Sequence, residues 1–177
     1  MFDLIFTRRY SMGHRLIHGA GDICATPHGH NEEVSVYLKA HEAERLDGSA
    51  NMVLPFYYAK KKWHQFVDGS IDHSFQLSED DPLLPWFIKN EPKRVRHLVV
   101  TPGDPTTELM ACLLMIKVNK ILDAEKTSLY CFKIDIKETP TNTVSFSGNP
   151  FDFVPQSENG QGHWWERPDM SISDLEI

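Results

Sequence analysis

Cysteine is scarce in this chain. Its 177 residues include only Cys24, Cys112 and Cys131, an odd number at wide spacing, which gives no disulfide framework and suits a reducing compartment. Long apolar runs are missing too, and no stretch approaches the roughly 20 residues needed to cross a bilayer. The start, Met1-Phe2-Asp3-Leu4, carries an acid early and reaches Arg8-Arg9 before any apolar run, unlike a signal or transit peptide. A cytoplasmic location is therefore expected. Positive charge is also short: 18 Lys and Arg stand against 25 Asp and Glu, for a net charge of -7. No basic stripe of the kind that neutralises a phosphate backbone is present, which argues against nucleic acid as a partner, and nothing marks a membrane surface. No internal repeat is visible.

What remains is enough for one globular domain with a buried core, since 41% of the residues are hydrophobic. Much of the negative charge sits at the end. Residues 148–177 hold six acids (Asp152, Glu158, Glu166, Asp169, Asp174, Glu176) and one base, Arg167. That segment also carries Phe151, Phe153, Trp164 and Trp165, too many aromatics for a disordered tail. The expectation is a single domain over 1–147 and an acidic, aromatic extension over 148–177 that docks on its own or a neighbouring subunit.

The densest group of chemically capable residues lies near the start: His14, then Cys24-Ala25-Thr26-Pro27-His28-Gly29-His30. Zinc accepts neutral imidazole nitrogen readily, and catalytic zinc sites use three protein ligands with a fourth position open. His28 and His30, two apart, emerge from the same face of an extended strand. The alternation from Phe2 through Phe6 continues in even register to Tyr10, Met12 and His14, while Val34, Val36 and Leu38 run back in register to His30 and His28. Two neighbouring antiparallel strands would then converge all three histidines.

Further along, Ala59, Trp63, Phe66 and Val67 predict a helix over 57–67 beside exposed Lys60-Lys61-Lys62. A longer helix opens with Asp104 as N-cap and Pro105 at its first position, with Leu109, Met110, Leu113, Leu114, Ile116, Ile121 and Leu122 as its buried stripe. Cys112 falls in that stripe and reads as core. The proline-rich stretch Ser78–Gly103 between these helices carries no clear pattern. Leu129–Glu138 alternates, placing Phe132, Ile134, Ile136 and Glu138 on one face, so a carboxylate faces the apolar side and needs a partner. Thr143–Ser147 follows as a fourth strand. The expected class is α+β, in the order ββααββ, with two helices on one face of a four-stranded antiparallel sheet.

Tyr10-Ser11-Met12-Gly13-His14 followed by Cys24-x-x-x-His28-Gly29-His30, then Met52-Val53-x-x-Phe56 with Lys60, Ile71-Asp72-His73, Pro105-Thr106-Thr107-Glu108 and Lys137-Glu138-Thr139, resemble in order the motifs of the 6-pyruvoyl-tetrahydropterin synthase family. The short gap between Cys24 and His28 is similar to its 6-carboxy-tetrahydropterin synthase branch, which serves queuosine biosynthesis. The resemblance covers residues 2–147. It implies the tunnelling fold, in which subunits join sheets as trimers or dimers of trimers and active sites lie between subunits. It further implies Zn²⁺ on His14, His28 and His30, proton transfer by Cys24, Asp72 and His73, and a pterin ring anchored by Glu138 with Thr106, Thr107 and Glu108. The implied substrate is 7,8-dihydroneopterin triphosphate, converted by a lyase to 6-carboxy-5,6,7,8-tetrahydropterin with loss of triphosphate and acetaldehyde. A 6-pyruvoyl-tetrahydropterin synthase activity and a non-catalytic zinc- or pterin-binding homologue are the alternatives.

In that chemistry a thiol beside a dication gains thiolate character, which suits Cys24 as a general base. Asp72 would fix the tautomer of His73, and Glu138 would pair bidentately with adjacent N–H donors of the ring. Arg8, Arg9, Arg15 and Lys60–Lys62 are candidates for the triphosphate. The chain departs from the family at Pro55, where an aspartate is usual, and at Gln76-Leu77, where Leu-Asn is usual.

Overall fold

The computed structural model describes residues 2–19, 21–42, 46, 48–157 and 162–175. Glu158 and Glu176, counted above among the acids of the extension, lie outside the described residues.

Strand β1 (Leu4–His14) and strand β2 (His28–Ala40) are joined through a short helix, α1 (Gly21–Ala25). Their side chains alternate between buried and solvated as the sequence does, so Leu4, Phe6, Tyr10, Met12 and His14 line one face with Val34, Val36 and Leu38. Helix α2 (Phe56–Phe66) continues as a π-helical turn over Val67–Ile71. Next come β3 (Ser74–Ser78), α3 (Leu83–Asn90) and β4 (Leu98–Thr101). Helix α4 (Thr107–Ala124), β5 (Leu129–Lys137) and β6 (Thr143–Ser147) complete the body.

The sheet corrects the expectation of four antiparallel strands. Among the described residues it has six, in the order β4-β3-β1-β2-β5-β6. The four expected strands are contiguous and antiparallel within it, but β3 joins β1 in parallel over Met12–His14, and β4 joins β3 in parallel. β4 comes from the stretch Ser78–Gly103 that carries no clear pattern, and β3 from the five residues that lead into it. Both are four or five residues long, and Ser-Phe-Gln-Leu-Ser offers too few apolar positions to betray a strand. With α1 and α3, the order ββααββ is also too simple.

Helix α4 begins later than predicted. Thr106 is its N-cap, accepting from the Leu109 N–H at 3.2 Å. Asp104 instead accepts from the backbone N–H groups of Ile17 (2.8 Å) and His18 (2.7 Å), fixing the chain just after β1. In β5 the register shifts opposite Tyr37 and Leu38. Cys131 is consequently buried, and Phe132 turns to the other face, against Tyr37 and the Lys39 ammonium. The alternation predicted the opposite for Phe132, because one extra residue inverts every side chain beyond it.

Helix α4 is buried all round from Met110 to Val118, which a two-layer domain would not require. The cause is the C-terminal segment, which lies over it. Val154, Trp164, Trp165 and Ile172 belong to the same apolar cluster as α2, α4 and the sheet. Lys117 is completely buried and donates to the carbonyls of Trp164 (2.8 Å) and Ser171 (3.2 Å) and to Asp169 (3.3 Å). Burial pulls the Lys117 ammonium down to about 8, against the opposing pull of Asp169. The same segment closes the β4 edge: the Val100 N–H donates to Ile172 O (3.1 Å), and its carbonyl accepts from the Trp164 indole (2.8 Å). An exposed strand edge invites pairing with other chains, and this one is covered. Among the described residues, no helix is long and apolar enough to cross a membrane.

Candidate active site

The three histidines converge as the strand registers require. His14 faces His28 across the β1–β2 ladder, and Met12 faces His30. Gly13 faces Gly29 in the same ladder, and a Cβ on Gly29 would lie 2.4 Å from Met12 O. Only glycine permits this approach of the two backbones, and it is what brings the imidazoles together.

One ring nitrogen from each histidine lies within 4.8 Å of the others. His14 Nδ1 is 3.1 Å from Pro105 O, and His28 Nδ1 is 2.9 Å from Thr26 O. A carbonyl only accepts, so both Nδ1 atoms carry the hydrogen and both Nε2 atoms of the neutral rings present lone pairs. Those two Nε2 atoms face each other at 3.1 Å. Two lone pairs so placed repel unless a cation lies between them. Nitrogen ligands on a tetrahedral zinc, each at about 2.05 Å, stand about 3.3 Å apart. The donor set thus fits a divalent ion of that kind. Burial, more than the His28 and His30 rings, holds the His14 imidazolium below its ordinary range, against the hydrogen bond to Pro105. The carbonyl partners also fix ring orientation, as supporting groups do at metal sites.

Next to the triad opens a cavity of about 270 Å³ lined by Leu16, Thr106, Thr107, Glu108, Glu138, Asn142, Thr143 and Val144. All four residues expected to hold a ring therefore line one wall. Thr107 Oγ1 donates to Glu138 Oε1 at 3.0 Å, which supplies part of the partner that this carboxylate needs.

The proton-handling residues are less unified. Cys24 is the penultimate residue of α1 and accepts the Leu16 N–H through its carbonyl at 2.8 Å, but it is not part of the histidine cluster. Asp72 accepts the Ser11 N–H at 2.7 Å and sits 2.9 Å from His73 Nδ1. Burial pushes the Asp72 carboxyl up, yet the bonds from Ser11 and His73 prevail and hold it below the ordinary carboxylate range. His73 has a left-handed backbone (φ 63°), is 81% exposed in its side chain, and donates its N–H to Ser11 O at 2.7 Å. Such a conformation costs about 1 kcal/mol or more and tends to persist where function needs it. Both bonds to Ser11 use its backbone, so Asp72 and His73 lie along the edge of β1, just before β3 joins it, and are not part of the histidine cluster of their own chain.

Of the cations considered for a phosphate group, Arg8 is engaged by Asp68, Arg9 by Glu33, and Arg15 by both oxygens of buried Asp81. The lysines of α2 carry no comparable pairing among the described residues.

One buried acid escapes the sequence reading. Glu32 is 3% exposed on the face of His28 and His30, and accepts the Tyr10 hydroxyl. Burial pushes its carboxyl up to about 7, opposed by the Tyr10 bond and reinforced by Glu138. The signal was present in the even register of β2, but Glu32 stands beside Glu33 and reads as part of a solvated pair.

The sequence pattern of the family described as 6-pyruvoyl tetrahydropterin synthase matches residues 3–149. The chain belongs to this family. A relative from Halobacterium salinarum, named probable 6-carboxy-5,6,7,8-tetrahydropterin synthase, is 32% identical over 136 residues, covering 77% of this chain and 80% of that protein. A 6-carboxy-5,6,7,8-tetrahydropterin synthase from Rickettsia felis is 31% identical over 86 residues, or 48% of this chain and 59% of the relative. Among solved structures, an uncharacterised protein from Wolinella succinogenes superposes with a TM-score of 0.67 at 21% identity, over 84% of this chain and 98% of that one. The 6-pyruvoyl tetrahydropterin synthase of Plasmodium vivax gives 0.59 at 17% identity, with the same shares. At these identities the structures establish the family's α+β fold.

Proposed function

We propose that the chain is a zinc-dependent lyase acting on 7,8-dihydroneopterin triphosphate to give 6-carboxy-5,6,7,8-tetrahydropterin, with loss of triphosphate and acetaldehyde. The observation that carries this reading is the lone-pair confrontation of His14 and His28 beside a cavity walled by Glu138, Thr106, Thr107 and Glu108. Zinc held by His14, His28 and His30 supplies Lewis acidity toward side-chain oxygens and so acidifies neighbouring C–H bonds. Glu138 accepts two adjacent ring N–H groups and sets the heterocycle in register, while Thr107 orients that carboxylate. Cys24 collects the proton released from the side chain. Asp72 fixes the His73 tautomer so that the other ring nitrogen exchanges a proton with substrate. Residues 1–147 form the catalytic unit, and the described part of 148–177 braces it through Val154, Trp164, Trp165 and Ile172. The reaction so proposed is a cytoplasmic step of queuosine biosynthesis.

We assign the working form as a trimer or dimer of trimers. Among the described residues, β6 and the stretch of β1 before Met12 have no strand on their outer edges. The face opposite the core is polar, with Thr7–Ser35, Ser11–Asn31 and Tyr37–Asp135 hydrogen bonds across it, as suits a solvated tunnel. Joining edges would also bring Asp72 and His73 of one chain toward the triad of another, which accounts for their separation within one chain.

The test is incubation of zinc-loaded protein with 7,8-dihydroneopterin triphosphate. The proposal requires acetaldehyde and a 6-carboxy product. A product that keeps its three-carbon side chain assigns the pyruvoyl-forming activity instead, and tight binding without turnover assigns a binding protein.

A further inference from the structure

Tyr10 and Glu32 are facing partners in the β1–β2 ladder. The β2–β5 ladder pairs Val34 with Ile136 and Glu33 with Lys137, so the next position sets Glu32 opposite Glu138, whose N–H then bonds Asn142 O. One row thus runs from Tyr10 in β1 and Glu32 in β2 to Glu138, just past the end of β5, and Asn142, just before β6. It lies one step along the same face from His30. Glu32 Oε2 takes the Tyr10 hydroxyl and Glu138 Oε1 takes the Thr107 hydroxyl. Among the described residues, neither acid has a cationic side chain within ion-pair distance, and no donor reaches Glu32 Oε1. A 3% exposed carboxyl with one hydroxyl partner, beside a second carboxyl, is costly to leave so.

We propose that Glu32 is a second ligand-binding carboxyl, which with Glu138 takes the two hydrogens of an exocyclic amino group on a cyclic guanidine-type heterocycle. Glu138 accepts one amino hydrogen and the adjoining ring N–H; Glu32 accepts the other. The spacing agrees. Acceptors at about 2.9 Å from an amino nitrogen, along N–H directions about 120° apart, stand about 5 Å from each other. Facing side chains in an antiparallel ladder are also about 5 Å apart. Two acids in one row therefore select an amino group over a carbonyl, whose oxygen both would repel. This role rests on the pterin reading above and adds the residue that decides what stands at ring position 2.

The experiment measures binding of pterin and of lumazine, its 2-oxo counterpart, to zinc-loaded wild type and Glu32→Gln by calorimetry, with metal content determined in parallel. Glutamine keeps the shape and accepts the Tyr10 hydroxyl. The substitution should weaken pterin binding about 10-fold or more, leave lumazine unchanged or tighter, and leave zinc content at the wild-type value. An unchanged preference, or equal weakening of both ligands, overturns the proposal. Wild type alone provides an independent check. Pterin methylated on its amino group has lost one hydrogen and should bind at least about 10-fold more weakly than pterin; equal binding overturns the proposal whether or not the variant folds. Wild type that binds neither heterocycle removes the pterin reading itself, whereas wild type that prefers pterin with an indifferent Glu32→Gln removes only the role of Glu32.

Discussion

Replacing Trp164 by alanine tests whether the C-terminal segment is part of the fold. The indole is fully buried, packs on Trp165 and lies near the Lys117 ammonium, 5.8 Å from its ring centroid. Truncating a buried tryptophan removes its transfer free energy and leaves a cavity, about 3–5 kcal/mol together. It also orphans the Val100 carbonyl on the edge strand, about 1 kcal/mol more. The sum, about 4–6 kcal/mol, is a large part of the roughly 5–15 kcal/mol that holds a domain folded. In a chain of this size it lowers Tm by about 8–24 °C. Urea unfolding followed by far-UV circular dichroism, at one protein concentration, measures it. Phe153→Ala in the same segment is the control, since that ring is 70% exposed and its loss should change stability by less than about 0.5 kcal/mol. A Trp164→Ala loss below about 1 kcal/mol would refute the packing argument.

The Lys117 ammonium releases its proton in the folded chain near pH 8, below its ordinary 10.5. Between those values the unfolded chain binds the extra proton, so wild type should gain stability relative to Lys117→Met as pH rises from 8 to 10.5, by up to about 3 kcal/mol; a flat or falling difference in urea titrations contradicts it. Gly29→Ala puts a methyl 2.4 Å from Met12 O. It should push β1 from β2, lower stability and weaken zinc binding at least about 10-fold in competition with a chelator, whereas wild-type affinity would show that the close approach is not needed. Cys24→Ala should cut turnover of the pterin triphosphate about 100-fold or more while retaining zinc, and undiminished turnover would remove Cys24 from the proposed mechanism.

Where burial repeats with a regular period, the chain discloses its fold. The even faces of β1 and β2 were readable from Phe6, Met12, Val34 and Val36, and the histidine cluster followed from register alone. Helices α2 and α4 showed because Trp63, Phe66, Met110 and Leu114 recur at helical spacing. What stayed hidden depends on partners distant in sequence. Strands β3 and β4 exist because β1 offers an edge to Ser74–Ser78. Asp104 caps no helix because the amides of Ile17 and His18 take its oxygens. The bulge before Lys133 has no local signature. The ring-binding wall was legible only through motif resemblance, since Thr106 and Glu138 are 32 positions apart and meet only once α4 lies against β5.

The account stands on the divalent ion shared by His14, His28 and His30. Elemental analysis after zinc loading and exhaustive dialysis should find about one zinc per wild-type chain, and about none in folded His28→Ala. Zinc-free wild type, or an unchanged content in His28→Ala, would contradict it.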